Sequence, residues 1–338
     1  MKQETLARTI IETMIRKFFR DIENDPDRSI RNIIDLAINF SKGRFQKEFF
    51  QVLQEMLSNE QSAYYELVRN VVADNDHEHL MTFGMNVGFQ ACTIGANTIR
   101  ENEDKWNFNI PWTYHLMYGT EGLSCEAAEK IITEGKELGT YIYMLSLKGQ
   151  ICEEHAELLE RHRDCAFVLF LSPRTMLEDP IDILKDKENL FVLIKYEPEF
   201  MEEATDELQK HHFFFGIYES CKKGQQASLL SAEHLEQIAR TRVPFYVLMP
   251  ENPYDYSEDQ ELHDQVTRIR TQQEYPFVIL DYISDIQKID RIISNDSCAV
   301  SFDAEGCVHT DTGKWNGDLY NIHSRSLFEI LNIVTKKK

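Results

Sequence analysis

The residues best typed for chemistry stand where strand-like runs end: Tyr118, Lys148, Ser172, Lys195, Glu197, Glu219, Glu251 and Asp281. Charged groups around one rim can hold a polar ligand, and they can equally be a solvated edge. No two of them are spaced as an obvious acid–base or metal pair. Lys195 and Glu197 lie two apart on one strand, so their side chains share a face. With Tyr118, Lys148 and Asp281 they form the candidate ligand-binding set. A second group, Cys298, Cys307 and His309, follows a C-x8-C-x-H pattern of soft metal-ligand types across a turn. Only three ligands are local where a structural zinc takes four, so ordinary buried cysteines are the simpler reading. The chain has no GxxxxGK[ST] phosphate loop, no GxGxxG, no GxSxG nucleophile elbow and no HExxH.

The elements that must position these residues alternate from Pro111 onward. Strand-like runs cover 111–118, 140–147, 165–171, 190–196, 212–218, 244–249 and 276–281. Helical runs lie between and after them, at 123–138, 152–163, 175–186, 199–210, 231–241, 257–274 and 283–293. Strand, helix, strand with short links is the unit of a parallel sheet. Runs such as Ala166–Leu171 are apolar throughout, as strands covered on both faces must be. This density of units fits a full or partial β/α barrel better than an open sheet with insertions. In such a barrel the strand ends named above would line one mouth.

Residues 1–106 carry almost no strand signal and read as helices. The first runs to about Glu23, and Asn24-Asp25-Pro26 breaks it and starts the second. A third covers Phe45–Leu57, and Ser58 with Gln61 makes a capping box for a fourth. A fifth spans 78–103 and contains Gly84, Gly88 and Gly95, read as close packing against another helix. Ser257 with Gln260 is a further capping box. The aromatic residues of this region, among them Phe18, Phe19, Phe45, Phe49, Phe50, Tyr64 and Tyr65, are either core or an exposed patch. The end, 297–338, reads as a strand, a turn-rich hairpin and a closing helix over 324–334. Lys336-Lys337-Lys338 reads as a frayed tail.

Bulk numbers narrow the function classes. The net charge is −21 over 338 residues, and no basic stripe offsets it, so a nucleic-acid partner is not expected. No apolar run approaches the roughly 20 residues a membrane span needs, and the N-terminus lacks the apolar core of a signal peptide. A cytoplasmic location is expected. The seven cysteines are an odd number, widely spaced and without CxxC, which gives no disulfide framework.

The order of these pieces resembles a subgroup of the radical SAM superfamily that has a helical N-terminal region before the barrel and a SPASM-like C-terminal region. The likeness is carried by NIPWT (109–113), TEGKELGTYIY (133–143), HRDCAFVLF (162–170), FMEEATDEL (200–208) and FDAEGCVH (302–309). The resemblance implies an α/β fold, a partial (βα)6-type TIM-like barrel over 107–296. An all-helical region, 1–106, would precede it, and a degenerate SPASM-like extension, 297–338, would follow.

The family's chemistry needs C-x3-C-x2-C after the first strand, where three thiolates hold an iron–sulfur cluster and leave one iron open for S-adenosylmethionine. Here Tyr118-Gly119 leads almost directly into a helix, and Cys125 alone lies nearby. The family's Gly-Gly-Glu-Pro after the second strand is replaced by Leu147-Lys148-Gly149-Gln150, which removes a carboxylate and brings in a cation. Of the C-terminal cysteine set, Cys298 alone matches, and Asp311 stands where a later cysteine would be. The resemblance therefore leads to a cluster-free relative with no cofactor. It would act as a binding, regulatory or assembly partner, with an active paralogue as the natural protein partner. The alternative is a barrel mouth reused to bind or convert a small polar molecule without iron.

Overall fold

The computed structural model describes residues 2–337 except 41–50, 52, 53, 56, 223, 253 and 295. Seven strands follow the apolar runs: β1 (Thr113–Tyr118), β2 (Ile142–Leu147), β3 (Ala166–Leu171), β4 (Leu190–Lys195), β5 (Phe215–Cys221), β6 (Phe245–Pro250) and β7 (Val278–Asp281). They pair in parallel and in sequence order. Three more follow: β8 (Val300–Phe302), β9 (Val308–Thr310) and β10 (Gly313–Lys314). β8 pairs in parallel with β1, and β9 and β10 add antiparallel strands beyond it. The result is one ten-stranded sheet with β10 and β7 at its ends. Among the described residues no ladder joins β7 to β8, so the sheet has the strand order of a TIM-like barrel without hydrogen-bonded closure.

Sequential order combined with right-handed crossovers puts the connecting helices on one face of the sheet. That outer face buries Tyr114, Leu116, Tyr143, Phe167, Val192, Ile217 and Tyr246 under the helices. The inner face is a second core. It contains Val168, Phe170, Phe191, Leu193, Val247 and Met249 from the strands and Phe214 from the link into β5, with Tyr282 and Ile283 from the helix Tyr282–Ser294. Phe83 packs into it from the N-terminal helices. Its ring lies 5.9 Å from that of Phe191 and 5.7 Å from that of Phe214.

The N-terminal region underlies the sheet. His77–Met85, a π-helical stretch Asn86–Gly95 and Ala96–Trp106 run on from one another. This rod crosses the N-terminal edge of the sheet. His79 Nε2 meets the Leu190 carbonyl at 2.6 Å, and Asn86 Nδ2 donates to Cys165 O at 2.9 Å. At Gly95 a Cβ would lie 2.4 Å from the Gly139 carbonyl, so close packing holds there. It does not hold at Gly84 and Gly88, where a Cβ would meet no described atom within 4 Å. Phe19, Tyr64 and Tyr65 are buried core, whereas Phe45, Phe49 and Phe50, with most of the helix expected over 45–57, lie outside the described residues. Leu6, Ile10 and Leu36 are exposed on the first two helices, Lys2–Asp21 and Pro26–Phe40.

Several sequence expectations change. Neither expected capping box forms. Ser58 bonds back to Glu55 O, and the helix starts at Tyr64; Ser257 bonds to Asp255, and Asp259 caps the helix Gln260–Gln272. The carboxylate of Asp259 stands three residues before the Leu262 N–H, where an N-cap acceptor is needed. Through Lys337 the tail is not frayed. Asn109 N donates to Thr335 O at 2.8 Å, and Lys337 pairs with the buried Glu103 at 3.2 Å. Among the described residues no helix is long and apolar enough to cross a membrane.

Candidate functional site

Side-chain alternation divides the candidate residues between the two faces. Tyr118 continues the outer row of Tyr114 and Leu116. It is buried beneath the helix Cys125–Leu138, with its hydroxyl 3.0 Å from Cys125 Sγ. Asp281 is also on the outer face, next to His263 at 3.6 Å, and burial raises its pKa. Neither lines the mouth. Glu219, also outward, bonds His234 at 2.5 Å and Tyr246 at 3.0 Å. Lys195 does lie on the inner face, opposite Tyr218 in register, but it pairs with Glu197 at 3.5 Å. Glu251 pairs with Lys222 at 2.8 Å, and Ser172 caps the helix Pro173–Glu178. Of the expected set, Lys148 alone is an exposed charge with no ion-pair partner among the described residues.

Cys298, Cys307 and His309 are not gathered. Cys298 is buried and donates to the Asn109 carbonyl. Cys307 accepts from Asn321 Nδ2 at 3.4 Å. His309 bonds Asp303 at 2.8 Å and stacks on Tyr254 with centroids 3.9 Å apart. Asp303 also accepts from Lys314 and from the Cys307 N–H at 2.8 Å. The hairpin is thus tied by a carboxylate. Among the described residues no group of three or more His, Cys, Asp or Glu is placed to hold a metal ion.

The link after β1 is closed by its own backbone. Leu123 N donates to Met117 O at 2.6 Å, and Gly119 N to Leu123 O at 3.1 Å. Lys148 N donates to Tyr118 O and Glu121 N to Lys148 O, at 2.7 and 3.1 Å, which fastens this turn to the one after β2. Gly119 has φ +127°, and a Cβ there would lie 2.3 Å from Lys148 O. No cysteine stands in the turn. Cys125 is the first residue of the following helix, and burial raises its thiol pKa. The residues present do not fit a cluster held by three thiolates at this turn.

Sequence reasoning missed the polar chain on the inner face of the sheet. His115 Nε2 is 2.7 Å from Ser146 Oγ, and His115 Nδ1 is 2.9 Å from the Tyr282 hydroxyl. His115 stacks on Phe170 with centroids 5.6 Å apart. Burial, and after it the charge of Lys148, lowers its pKa to about 3. The imidazole is therefore neutral at ordinary pH. A crevice of about 20 Å³ beside His115 and Tyr282 is on the scale of a water molecule. A histidine at the third position of an apolar strand was the available signal. Its partner could not be found without the register, which sets Ser146 beside Met117.

No protein-family model matches the sequence, and no curated protein matches it either. Among solved structures the fold is similar to that of Streptococcus suis SuiB bound to precursor peptide SuiA. The TM-score is 0.50 at 9% identity, covering 71% of this chain and 69% of that one. A structure of SuiB bound to S-adenosylmethionine is similar at a TM-score of 0.49 and 10% identity, covering 70% and 67%. The likeness is one of fold alone: the chain shares a mixed α/β fold with SuiB.

Proposed function

We propose that this protein is a cluster-free relative of radical SAM enzymes that acts by binding another protein. The observation that carries this reading is the turn Gly119–Gly122. A cluster needs three converging thiolates, and here a four-residue turn without cysteine is hydrogen-bonded shut against Lys148. The inner core adds support. Phe83, Phe191 and Phe214 occupy the lower part of the barrel as packed aromatic neighbours, with Phe191 and Phe214 centroids 4.7 Å apart.

The binding role draws on two further points. The similar structure of SuiB holds a precursor peptide. On the first two helices, exposed Leu36 borders a groove of about 320 Å³ that is also lined by Met14, Phe18 and Ile33. Apolar side chains on one surface suit a protein partner. From the family resemblance, an active paralogue is the partner we would look for first.

The test is anaerobic purification followed by iron and sulfide assay and S-adenosylmethionine titration by calorimetry. The reading expects no stoichiometric iron and no heat of binding. Close to four irons per chain would refute it.

A further inference from the structure

The rim charges named from the sequence have partners within the chain, with one exception. Lys195 pairs with Glu197, Glu251 with Lys222 and Glu219 with His234. Lys148 is exposed and has no such partner among the described residues. The turn that carries it is closely packed. Gly149 has φ +82°, and a Cβ there would lie 2.1 Å from Thr120 Oγ1. Gln150 N donates to the same hydroxyl at 3.0 Å.

Ser146 lies two residues before Lys148 and is partly exposed. The direction of its hydroxyl proton follows from the buried chain beneath it. Tyr282 is 6% exposed, and its O–H finds one acceptor among the described residues, His115 Nδ1. A buried hydroxyl with an acceptor in reach donates to it, so Nδ1 accepts. A neutral imidazole carries one proton, which then sits on Nε2 and is donated to Ser146 Oγ. The oxygen of Ser146 is thereby occupied as an acceptor, and its own proton is left for the mouth. A donor at Ser146 and an unpaired, exposed ammonium two residues on, at Lys148, make a pairing suited to an oxyanion.

We propose that Ser146 and Lys148 form a recognition point for the carboxylate or phosphate group of a small molecule, at the mouth beside β1 and β2. The acidity of the whole chain opposes anions elsewhere on its surface, so the preference is local to this point. Iron content does not enter the test below, so this site and the cluster-free reading fail separately.

The test uses the full chain. Thermal unfolding and calorimetry are run with sodium phosphate and with sodium acetate, against sodium chloride at equal ionic strength. A rise in Tm beyond that in chloride is expected with at least one of the two anions, growing with concentration, and the arm that responds identifies phosphate or carboxylate as the group bound. Lys148→Met and Ser146→Ala should each weaken binding about tenfold, the scale of a charge-assisted hydrogen bond, while Lys148→Arg keeps most of it. Nitrogen-15 shifts of His115 should report the proton on Nε2. No anion-specific rise, an equal rise in the two variants, or a proton on Nδ1 would each overturn the proposal.

Discussion

Arg270 and Asp285 form a two-pronged ion pair along the open edge of β7, with Nη2–Oδ2 at 2.7 Å and Nη1–Oδ1 at 3.0 Å. The pair stands where a barrel would place its next strand. Val278 turns its backbone toward β6, bonding Pro244 O, so Ile279 and Asp281 turn theirs outward. Arg270 Nε donates to Ile279 O, and Asp285 Oδ2 accepts from Asp281 N, both at 3.0 Å. An edge strand left bare would invite another chain; here two side chains satisfy it.

Arg270→Ala should destabilise the fold by about 3 kcal/mol, because it strands a largely buried carboxylate and a backbone carbonyl together. Urea unfolding gives the value. A loss below about 0.5 kcal/mol would mean that solvent serves the edge equally well.

Asp290 gives a pH dependence. It is fully buried, and its Oδ1 accepts from Trp112 N at 2.9 Å at the foot of β1. Burial pushes its pKa up to about 8 from an ordinary 3.8. Between those values the folded chain keeps a proton that the unfolded chain has lost. Stability therefore falls as pH rises through this window, and the fall levels off above about 8. Asp290→Asn keeps the acceptor and removes the titration. Its Tm should gain on the native protein steadily from pH 5 to pH 8. Parallel curves would show that Asp290 is already ionised in the fold.

Phe191 tests whether the inner face of the sheet is packed core. Its ring touches those of Phe83, Phe214 and Phe245, and it is 5% exposed. Phe191→Ala should cost about 3–5 kcal/mol by leaving a cavity. A cost under about 1 kcal/mol would point to an interior that is loosely filled.

Gly119 holds the turn after β1 closed. Gly119→Ala adds a Cβ against Lys148 O and forces a side chain onto a left-handed backbone. The expected loss exceeds about 1 kcal/mol, the usual scale of a compatible glycine replacement reversed in sign. An unchanged midpoint in denaturant would show that the turn opens freely, and would weaken the reading built on its closure.

The sheet was legible because its strands are apolar on both faces. Ala166–Leu171 and Leu190–Lys195 emerged within a residue of the runs that announce them. The pairing of β8 with β1 was not legible, since nothing local in Val300–Phe302 names a partner so far upstream. The positions of the candidate residues were legible in part. Lys148 stands directly after β2, as the run 140–147 sets it. Tyr118 and Asp281 were placed at a mouth by their position along the strand, whereas alternation sends both beneath the helices. The parity was readable for Tyr118, which shares its face with Tyr114 and Leu116. The chain Ser146–His115–Tyr282 required both strand register and the return of a distant helix.

Native mass spectrometry of the protein drawn gently and without air from its own cells tests the central claim most directly, since one spectrum reports subunits, small ligands and iron. The account expects the mass of this chain with a second polypeptide and no iron. A chain carrying the mass of a four-iron, four-sulfur cluster would contradict it.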